Sequence, residues 1–587
     1  MNYIGIDFGT SNCVVCNLTD YGELDVVRFG DSLVVPSVVT LSENEQVLYC
    51  GQAAKELAGV MGEERSVLSV KRVLGTNTEV RLGRHSYPPE SIAYELFRYL
   101  KDGTERYLGK PVTRAVITVP ANSKGLQRKA TKVCAEKAGF KVLTLINEPT
   151  AAAMAYGIDL EEERYILVYD FGGGTFDVTV LHSHHGILEE IQARGIRKLG
   201  GDDMDERLAE EIARRARVDY SSLPRIAQWR LKLEAEKAKI RLSDEESVIV
   251  NIQADRRIGL PPISVEITRR EFTKLVWDLI ERTKEPILEA INASRHPSGR
   301  NLTFRDIDTL LLVGGTSKIP AVREFVENLV GLQAQSGVDP MTCIAQGAAI
   351  ASGIIQGAPN VNKVYIVRLE HSLCPRILDI TTMQDMLHPL IPRGTAIPTK
   401  RSHIYGPVRD NQDRAEIVIY EGDVYDNPED ENNVKIGTVE LPIDPPRPKD
   451  QVAIEVTFTY GDDGILQVEA KDLGTGRGVR ATIDYAYDIR VKPTGIPIET
   501  ESTPGSAGGT LTKPPEPVPP EPVPEEILET AKKYLSMADK RVEKLGASSQ
   551  RGKRIGELAE RLRRALERGS RKEIEKCIDD LGEELLW

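Results

Sequence analysis

The chain has 587 residues, 40% of them apolar, which is enough for three or four domains with cores of their own. Its formal net charge of -13 argues against nucleic acid as the main partner, because a phosphate backbone calls for a basic face. No apolar run reaches membrane-spanning length, and MNYIGIDFG opens directly as a strand without the basic and apolar regions of an export signal. A cytoplasmic protein with no membrane partner is therefore expected.

The chain opens on IGIDFGTSNCVVC (residues 4–16), an apolar strand ending in Asp-Phe-Gly, a Thr-containing turn and a second strand. The same plan returns 163 positions later as LVYDFGGGTFDVTV (residues 167–180). Neither copy is a P-loop, since no G-x-x-x-x-G-K-[ST] occurs, nor a dinucleotide fingerprint, since Phe176, Val178 and Val180 alternate as a strand rather than opening a helix. Asp-Phe-Gly without an upstream H-R-D loop also sets aside the protein kinases. Two such hairpins, each heading an α/β half, would face each other across a cleft and grip a polyphosphate with backbone N–H groups.

Between the copies, residues 114–120 read as a buried strand, residues 122–139 as a helix capped by Asn122 or Ser123, residues 142–149 as a strand, and Thr150 as the start of a small-residue helix. Cys13 and Cys16 have C-x-x-C spacing, but an offset of three on a strand puts them on opposite faces, and no second pair completes a metal site. With seven cysteines in all, reduced thiols are expected. His182, His184 and His185 stand beside Gly186 and read as an exposed turn. A helix-rich stretch is expected near residues 203–243, and residues 308–320 give a buried strand whose Gly314 and Gly315 turn into a helix.

After residue 363 the pattern becomes antiparallel β-sheet: residues 452–460 alternate with Val452, Ile454, Val456, Phe458 and Tyr460 on one face, and residues 415–423 behave alike. Residues 491–525 are too rich in Pro and Gly to fold and read as a disordered tether. Leu528, Ala531, Leu535 and Ala538, then Ile555, Leu558 and Leu562, then Ile574 and Leu581 step at helical spacing, giving a small helical bundle over 526–587 or a partner-binding coiled coil.

IGIDFGTSN, VKRVLG, VITVPANSKGLQRKATKVCAEKAG, LINEPTAAAMAYG, VYDFGGGTFDVTV, LGGDDMDERL, EAEKAKIRLS and LLVGGTSKIP occur in one order, and in that order the chain resembles the seventy-kilodalton heat-shock (DnaK-type) chaperones. The resemblance is dense to about residue 360 and looser over 364–485. It implies an actin-like two-lobed ATPase domain (1–363), a linker (364–369) and a β-sandwich that binds peptides (370–490). ATP or ADP with Mg²⁺ is implied as cofactor, with K⁺ a further candidate. Implied partners are extended apolar segments of unfolded proteins, J-domain co-chaperones and nucleotide-exchange factors.

The resemblance also assigns residues. Asp7 and Asp170, one from each half, would hold the waters of Mg²⁺, a hard ion that accepts a carboxylate or two. Gly9, Thr10, Ser11 and Asn12 with Gly172, Gly173 and Gly174 would cradle phosphates. Lys71 would place a positive charge, Glu148 would position water or metal, and Thr175 would touch the γ-phosphate; sequence alone does not rank Lys71 above Arg72. Gly314, Gly315 and Lys318, with Glu236, Lys239 and Ser243, would hold base and ribose. Pro120, Arg128 and Glu148 match the relay to the second domain, and Ile380, Met383, Tyr405, Val408, Ala415 and Ile417 are the candidate peptide pocket.

Three departures stand out. Lys318 replaces an Arg able to stack on adenine, Met341 replaces an Asp near the ribose, and the linker VYIVR ends in Arg368 where the family has an acid. The long tether further sets the helical tail apart from the family's lid. Two alternatives accompany the chaperone reading: an uncoupled exchange or holding cousin, and an actin-like filament ATPase or small-molecule kinase.

Overall fold

The computed structural model describes residues 2–359, 369–483 and 489–499, apart from 62, 122, 124, 159–160, 186, 370, 380, 431–432, 462–464 and 490. In the tail it describes residues 533, 535–540, 555, 558–560, 562 and 581. The chain divides into two compact units, Met1–Tyr365 with Tyr485–Glu501, and Ile366–Asp484 with Ser502–Trp587. The expected linker lies outside the described residues except for Leu369.

The first unit repeats one topology. Strands β1 (Tyr3–Phe8) and β2 (Asn12–Leu18) form the first hairpin, β3 (Arg114–Val119) runs parallel to β1, and β4 (Lys141–Asn147) runs parallel to β3. In the second half, β5 (Arg164–Phe171) and β6 (Phe176–His184) form the matching hairpin. Strand β7 (Ile187–Ile196) continues it antiparallel to β6, and β8 (Thr309–Val313) runs parallel to β5. Asp7 and Asp170 sit at the same place in each copy, one residue before the end of the first hairpin strand. Each sheet is covered by its own apolar core, one around Ile4, Ile6, Phe8 and Phe97, the other around Tyr169, Phe171, Phe176 and Leu208. Cys13 faces the first of these cores and Cys16 a separate cluster on the other side of the sheet, as their offset of three predicts. The six described cysteines are buried free thiols.

Helix α1 (Pro89–Leu108) packs on the first sheet, and α2 (Gly125–Lys137) starts after the expected cap region, with Asn122 outside the described residues. Helix α3 (Glu148–Ala155) begins two residues earlier than expected, because Pro149 fits the first turn, where a missing N–H costs nothing. The helix-rich stretch resolves into α4 (Gly201–Arg215) and α5 (Arg225–Asp244). Helix α6 (Cys343–Ile355) crosses both β1 and α3 at backbone distance. A Cβ on Gly347 would lie 1.7 Å from the Ala151 carbonyl oxygen, so Ala151, Ala152 and Ala153 are small because the helices touch there.

The segment following the sandwich does not run free at its start. Residues 491–499, expected to be disordered, lie along the first unit. Lys492 N–H donates to Ser91 Oγ at 3.0 Å, and Thr494 donates through N–H and hydroxyl to Glu95 Oε1 at 3.0 and 2.7 Å. Leu48 N–H donates to Pro497 O at 3.0 Å and Glu499 N–H to Leu48 O at 2.9 Å, the pattern of a short parallel bridge. Ile489, Val491, Ile496 and Ile498 pack against the first core, which is the apolar content that a Pro and Gly count overlooks. Residues 500–525 lie outside the described residues.

The second unit carries two four-stranded antiparallel sheets. One holds Leu373–Asp379, Gln384–Leu387, Arg414–Glu421 and Val434–Pro442, the other Thr399–Tyr405, Ile454–Tyr460, Leu466–Asp472 and Gly478–Ile483. Ile454, Val456 and Phe458 are buried on one face, as their alternation predicts. The described tail residues are helical, with Ala538, Ile555, Ala559, Leu562 and Leu581 buried; the remaining stripe positions, apart from Leu535 and Leu558, lie outside them.

Candidate functional site

Both hairpin turns open into one cavity of about 590 Å³. Asp7, Gly9, Thr10, Ser11, Asn12, Lys71, Glu148, Asp170, Gly172, Gly173, Gly174, Thr175, Gly314 and Gly315 all line it, and so do Pro120 and Met341. Residues far apart in sequence converge because each lies at a strand end or in the turn just after one. Lys71 reaches the cavity from a one-turn helix, Val70–Arg72, entered through Ser69 in the left-handed region at φ 53°. That turn buries the lysine, whose Nζ meets Glu148 Oε1 at 2.6 Å. Glu148 opens α3, where the helix dipole favours a carboxylate.

The cavity is lined by four acids and four bases. Asp7, Glu148, Asp170 and Asp177 share the cavity with Lys71, Arg72, Arg197 and Lys198. Burial, then the charge of Glu148, pushes both Asp7 and Asp177 up to about 7, and burial with Glu148, Asp177 and Asp7 pushes Asp170 well above the carboxylate range. Thr118 Oγ1 donates to Asp7 at 3.0 Å and opposes part of this. Buried carboxylates held apart from their preferred charge are a site for a hard divalent cation, which suits all-oxygen donors. Ser11 Oγ is buried in the same wall without a hydrogen-bond partner, a second sign that the cavity is shaped for a polar ligand.

The glycine turn of the second hairpin is held from behind by α4. Gly201 N–H donates to Gly172 O at 3.1 Å and Asp202 N–H to Gly173 O at 2.7 Å, while Thr316 Oγ1 also donates to Gly172 O at 2.8 Å. Gly172 N–H closes the turn on Thr175 O at 3.0 Å. This corrects its expected part in the cradle, since that amide is already engaged. Gly314, at φ 81°, adopts a backbone closed to most side chains and places Gly315 against the cavity.

Four of the residues expected around base and ribose are not among those lining this cavity. Glu236 pairs with Lys55 at 2.6 Å, Lys239 donates to Asp205 at 2.8 Å and to Gly201 O at 3.0 Å, and Lys318 meets Asp339 at 3.3 Å. Ser243 lies near the end of α5, its carbonyl accepting from Arg269. Met341, the departure noted above, stacks its thioether over Gly315.

Arg72 was left unranked beside Lys71, and the structure separates them: Arg72 Nη2 donates to Gly174 O at 3.0 Å. Asp177, Arg197 and Lys198 were missed. Asp177 could have been found as the second aspartate of D-F-G-G-G-T-F-D, directly opposite Asp170 in the hairpin register; the other two carry no local signal. Of the relay residues, Arg128 donates to Asn147 Oδ1 at 2.8 Å, and Asn147 Nδ2 to Glu190 at 2.8 Å, so the residue before Glu148 links α2 to β7.

In the second unit, Met383 is 68% and Val408 53% exposed, while Ala415 is half-buried. Tyr405 is half-buried with its hydroxyl 2.6 Å from His388 Nδ1. Ile417 belongs instead to the sandwich core, pointing inward on Arg414–Glu421, and Ile380 lies outside the described residues. The histidine reading also changes. His185 sits in the turn at φ 51°, but His182 and His184 are on β6, the first buried and the second half-buried. No helix among the described residues is long and apolar enough to cross a membrane.

The family model described as Hsp70 protein matches residues 3–85 and 76–585. Chaperone protein DnaK of Thermotoga petrophila and that of Thermotoga maritima are each 38% identical over 483 residues, 81% of this chain and 79% of the relative. Chaperone protein DnaK of Thermosipho africanus is 36% identical over 482 residues, 81% of this chain and 78% of the relative. Duplicated hairpins lining one cavity, a second unit of two antiparallel sheets, and similarity along nearly the whole sequence lead to one assignment: the chain belongs to the Hsp70 family.

Proposed function

We propose that this protein is an ATP-dependent chaperone in which slow hydrolysis in the first unit switches the affinity of the β-sandwich for extended apolar peptide. The observation that carries the reading is the pair of equivalent turns lining one cavity with Asp7 and Asp170 at matching positions and Lys71 tied to Glu148 at 2.6 Å. Mg²⁺ bound with the nucleotide would neutralise phosphate charge. Asp7 and Asp170 would hold its waters. Ser11 Oγ and the amides of the first turn, with those of Gly173 and Gly174, would bind phosphate oxygens. Lys71 would stand where negative charge grows during transfer, Glu148 would orient the attacking water, and Thr175 would contact the terminal phosphate.

The adenosine end would rest on Gly314 and Gly315, with Met341 supplying an apolar surface in place of an acid. Exposed Met383 and Val408 with Tyr405 and Ala415 make the better-supported peptide surface; main-chain pairing with a β-sandwich supplies the affinity. J-domain and exchange-factor partners, and a cytoplasmic location, belong to the same proposal, supported by membership of the family. Single-turnover ATP hydrolysis with and without an extended apolar peptide is the test. Acceleration by peptide supports a coupled cycle, whereas indifference would replace it with an uncoupled ATPase or holding protein.

A further inference from the structure

The β6–β7 hairpin gathers side chains for which nucleotide chemistry has no use. His182 and His184 alternate on β6 and so share one face of the sheet, and Glu189 on β7 stands directly opposite His182 in the register. Their rings lie 4.6 Å apart between centroids, and one ligand atom from each of His182, His184 and Glu189 falls within 4.8 Å of the other two. His184 Nε2 is 3.7 Å from Glu189. Glu163, just before β5, brings Oε1 to 3.5 Å from His182 Nε2 without forming a hydrogen bond. His182 is 9% exposed, and its Nε2 is a buried nitrogen with no hydrogen-bond partner.

We propose that His182, His184 and Glu189 bind a divalent first-row transition ion of the zinc type, with Glu163 swinging in as a fourth ligand. Two imidazoles and carboxylates suit zinc, cobalt or nickel rather than magnesium, which prefers oxygen and keeps its waters. Ligand atoms about 2.1 Å from a tetrahedral ion stand roughly 3.4 Å apart, so the cluster closes by modest side-chain rotation, chiefly of the exposed Glu189 and Glu163. Stacking on Tyr165, with centroids 4.5 Å apart, accounts for the burial of the His182 ring. It does not account for the orphaned nitrogen, nor for a second histidine and a carboxylate converging on it.

The test uses the full chain, stripped with a chelator and kept in saturating Mg²⁺ and ADP so that the nucleotide cavity is filled, and titrated with Co²⁺ and then Zn²⁺. One equivalent of Co²⁺ should give the visible ligand-field bands of a low-coordinate site, and Zn²⁺ should abolish them. His184→Gln and Glu189→Gln should each weaken Zn²⁺ binding by about 100-fold or more, since even groups behind the ligands are worth about 10- to 100-fold. His185→Ala, in the turn, should leave it unchanged. Absence of the bands, unchanged affinity in both ligand variants, or an equal loss in His185→Ala would each overturn the proposal. His182→Ala also removes a buried ring, so the two less buried positions decide the result.

Discussion

Replacing Lys71 by Met keeps an unbranched side chain one atom shorter and removes its charge from a site where the charge matters. Lys71 Nζ stands 2.6 Å from Glu148 with both side chains largely buried. At an effective dielectric of about 20, two unit charges at that distance attract by roughly 6 kcal/mol. The net loss is smaller, because the carboxylates can respond by binding protons. Asp7 and Asp177 already titrate at about 7, so loss of the lysine moves them further up and neutralises much of the wall at neutral pH. A protonated wall serves poorly for cation binding, and the buried charge beside Glu148 is gone, although Arg72, Arg197 and Lys198 still line the cavity. Removing one donor of that kind typically costs about 10²–10³-fold in rate, or roughly 3–4 kcal/mol. Single-turnover hydrolysis of Lys71→Met should therefore fall by about that factor, with ADP binding still measurable by calorimetry. A rate within threefold of the parent would refute the role of the lysine, and with it the electrostatic account of the cavity.

Gly347→Ala should lower the unfolding midpoint of the first unit sharply, by an overpacking cost of about 3 kcal/mol or more, since its Cβ would meet the Ala151 carbonyl; a shift within error in calorimetry would contradict the close helix crossing. Glu271 closes a capping box with Thr268 and pairs with Arg215 at 2.9 Å, and Arg215, then Thr268, hold its carboxyl at about 2. A depressed carboxylate stabilises above its unfolded pKa and loses that contribution as pH falls through its folded one. Midpoints measured from pH 5 down to pH 2 should thus decline less steeply in Glu271→Gln, and parallel curves would refute the linkage. Val408→Asp on the sandwich should weaken binding of an extended apolar peptide by about tenfold in fluorescence anisotropy, the equivalent of about 1.4 kcal/mol; unchanged affinity would place the peptide elsewhere.

Much of the nucleotide site was legible because it is built from local signals used twice. Asp-Phe-Gly with a following turn fixes strand, carboxylate and amide donors together, so the spacing of the two copies already implied two opposed walls. Positions that depend on a third element were not legible. Lys71 and Arg72 are adjacent, and which of them faces a carboxylate is settled by the left-handed backbone at Ser69 and by the position of α3. Glu236 and Lys239 come only from the resemblance, and their ion pairs with Lys55 and Asp205, both distant in sequence, carry no local signal. His182 reads as turn material beside Gly186, and burial came from the sheet register and the Tyr165 ring, which a composition-based reading cannot see. Residues 491–499 were misjudged for a related reason: Val491, Ile496 and Ile498, with Ile489 just before them, are enough to dock an extended segment rich in Pro and Gly once a groove exists elsewhere.

Because residues 489–499 fasten to the first unit, the chain leaves that unit near residue 365 and returns to it about 120 residues later, so the intervening sandwich is suspended from two points rather than one. A body hung at both ends explores a smaller volume than one on a single leash, and its effective concentration beside the ATPase unit rises accordingly. A truncation after residue 484 accordingly strips the segment bridged to Leu48 and uncovers Glu95, so a change it brings to hydrolysis or stability can arise within the first unit with no part played by the helical tail.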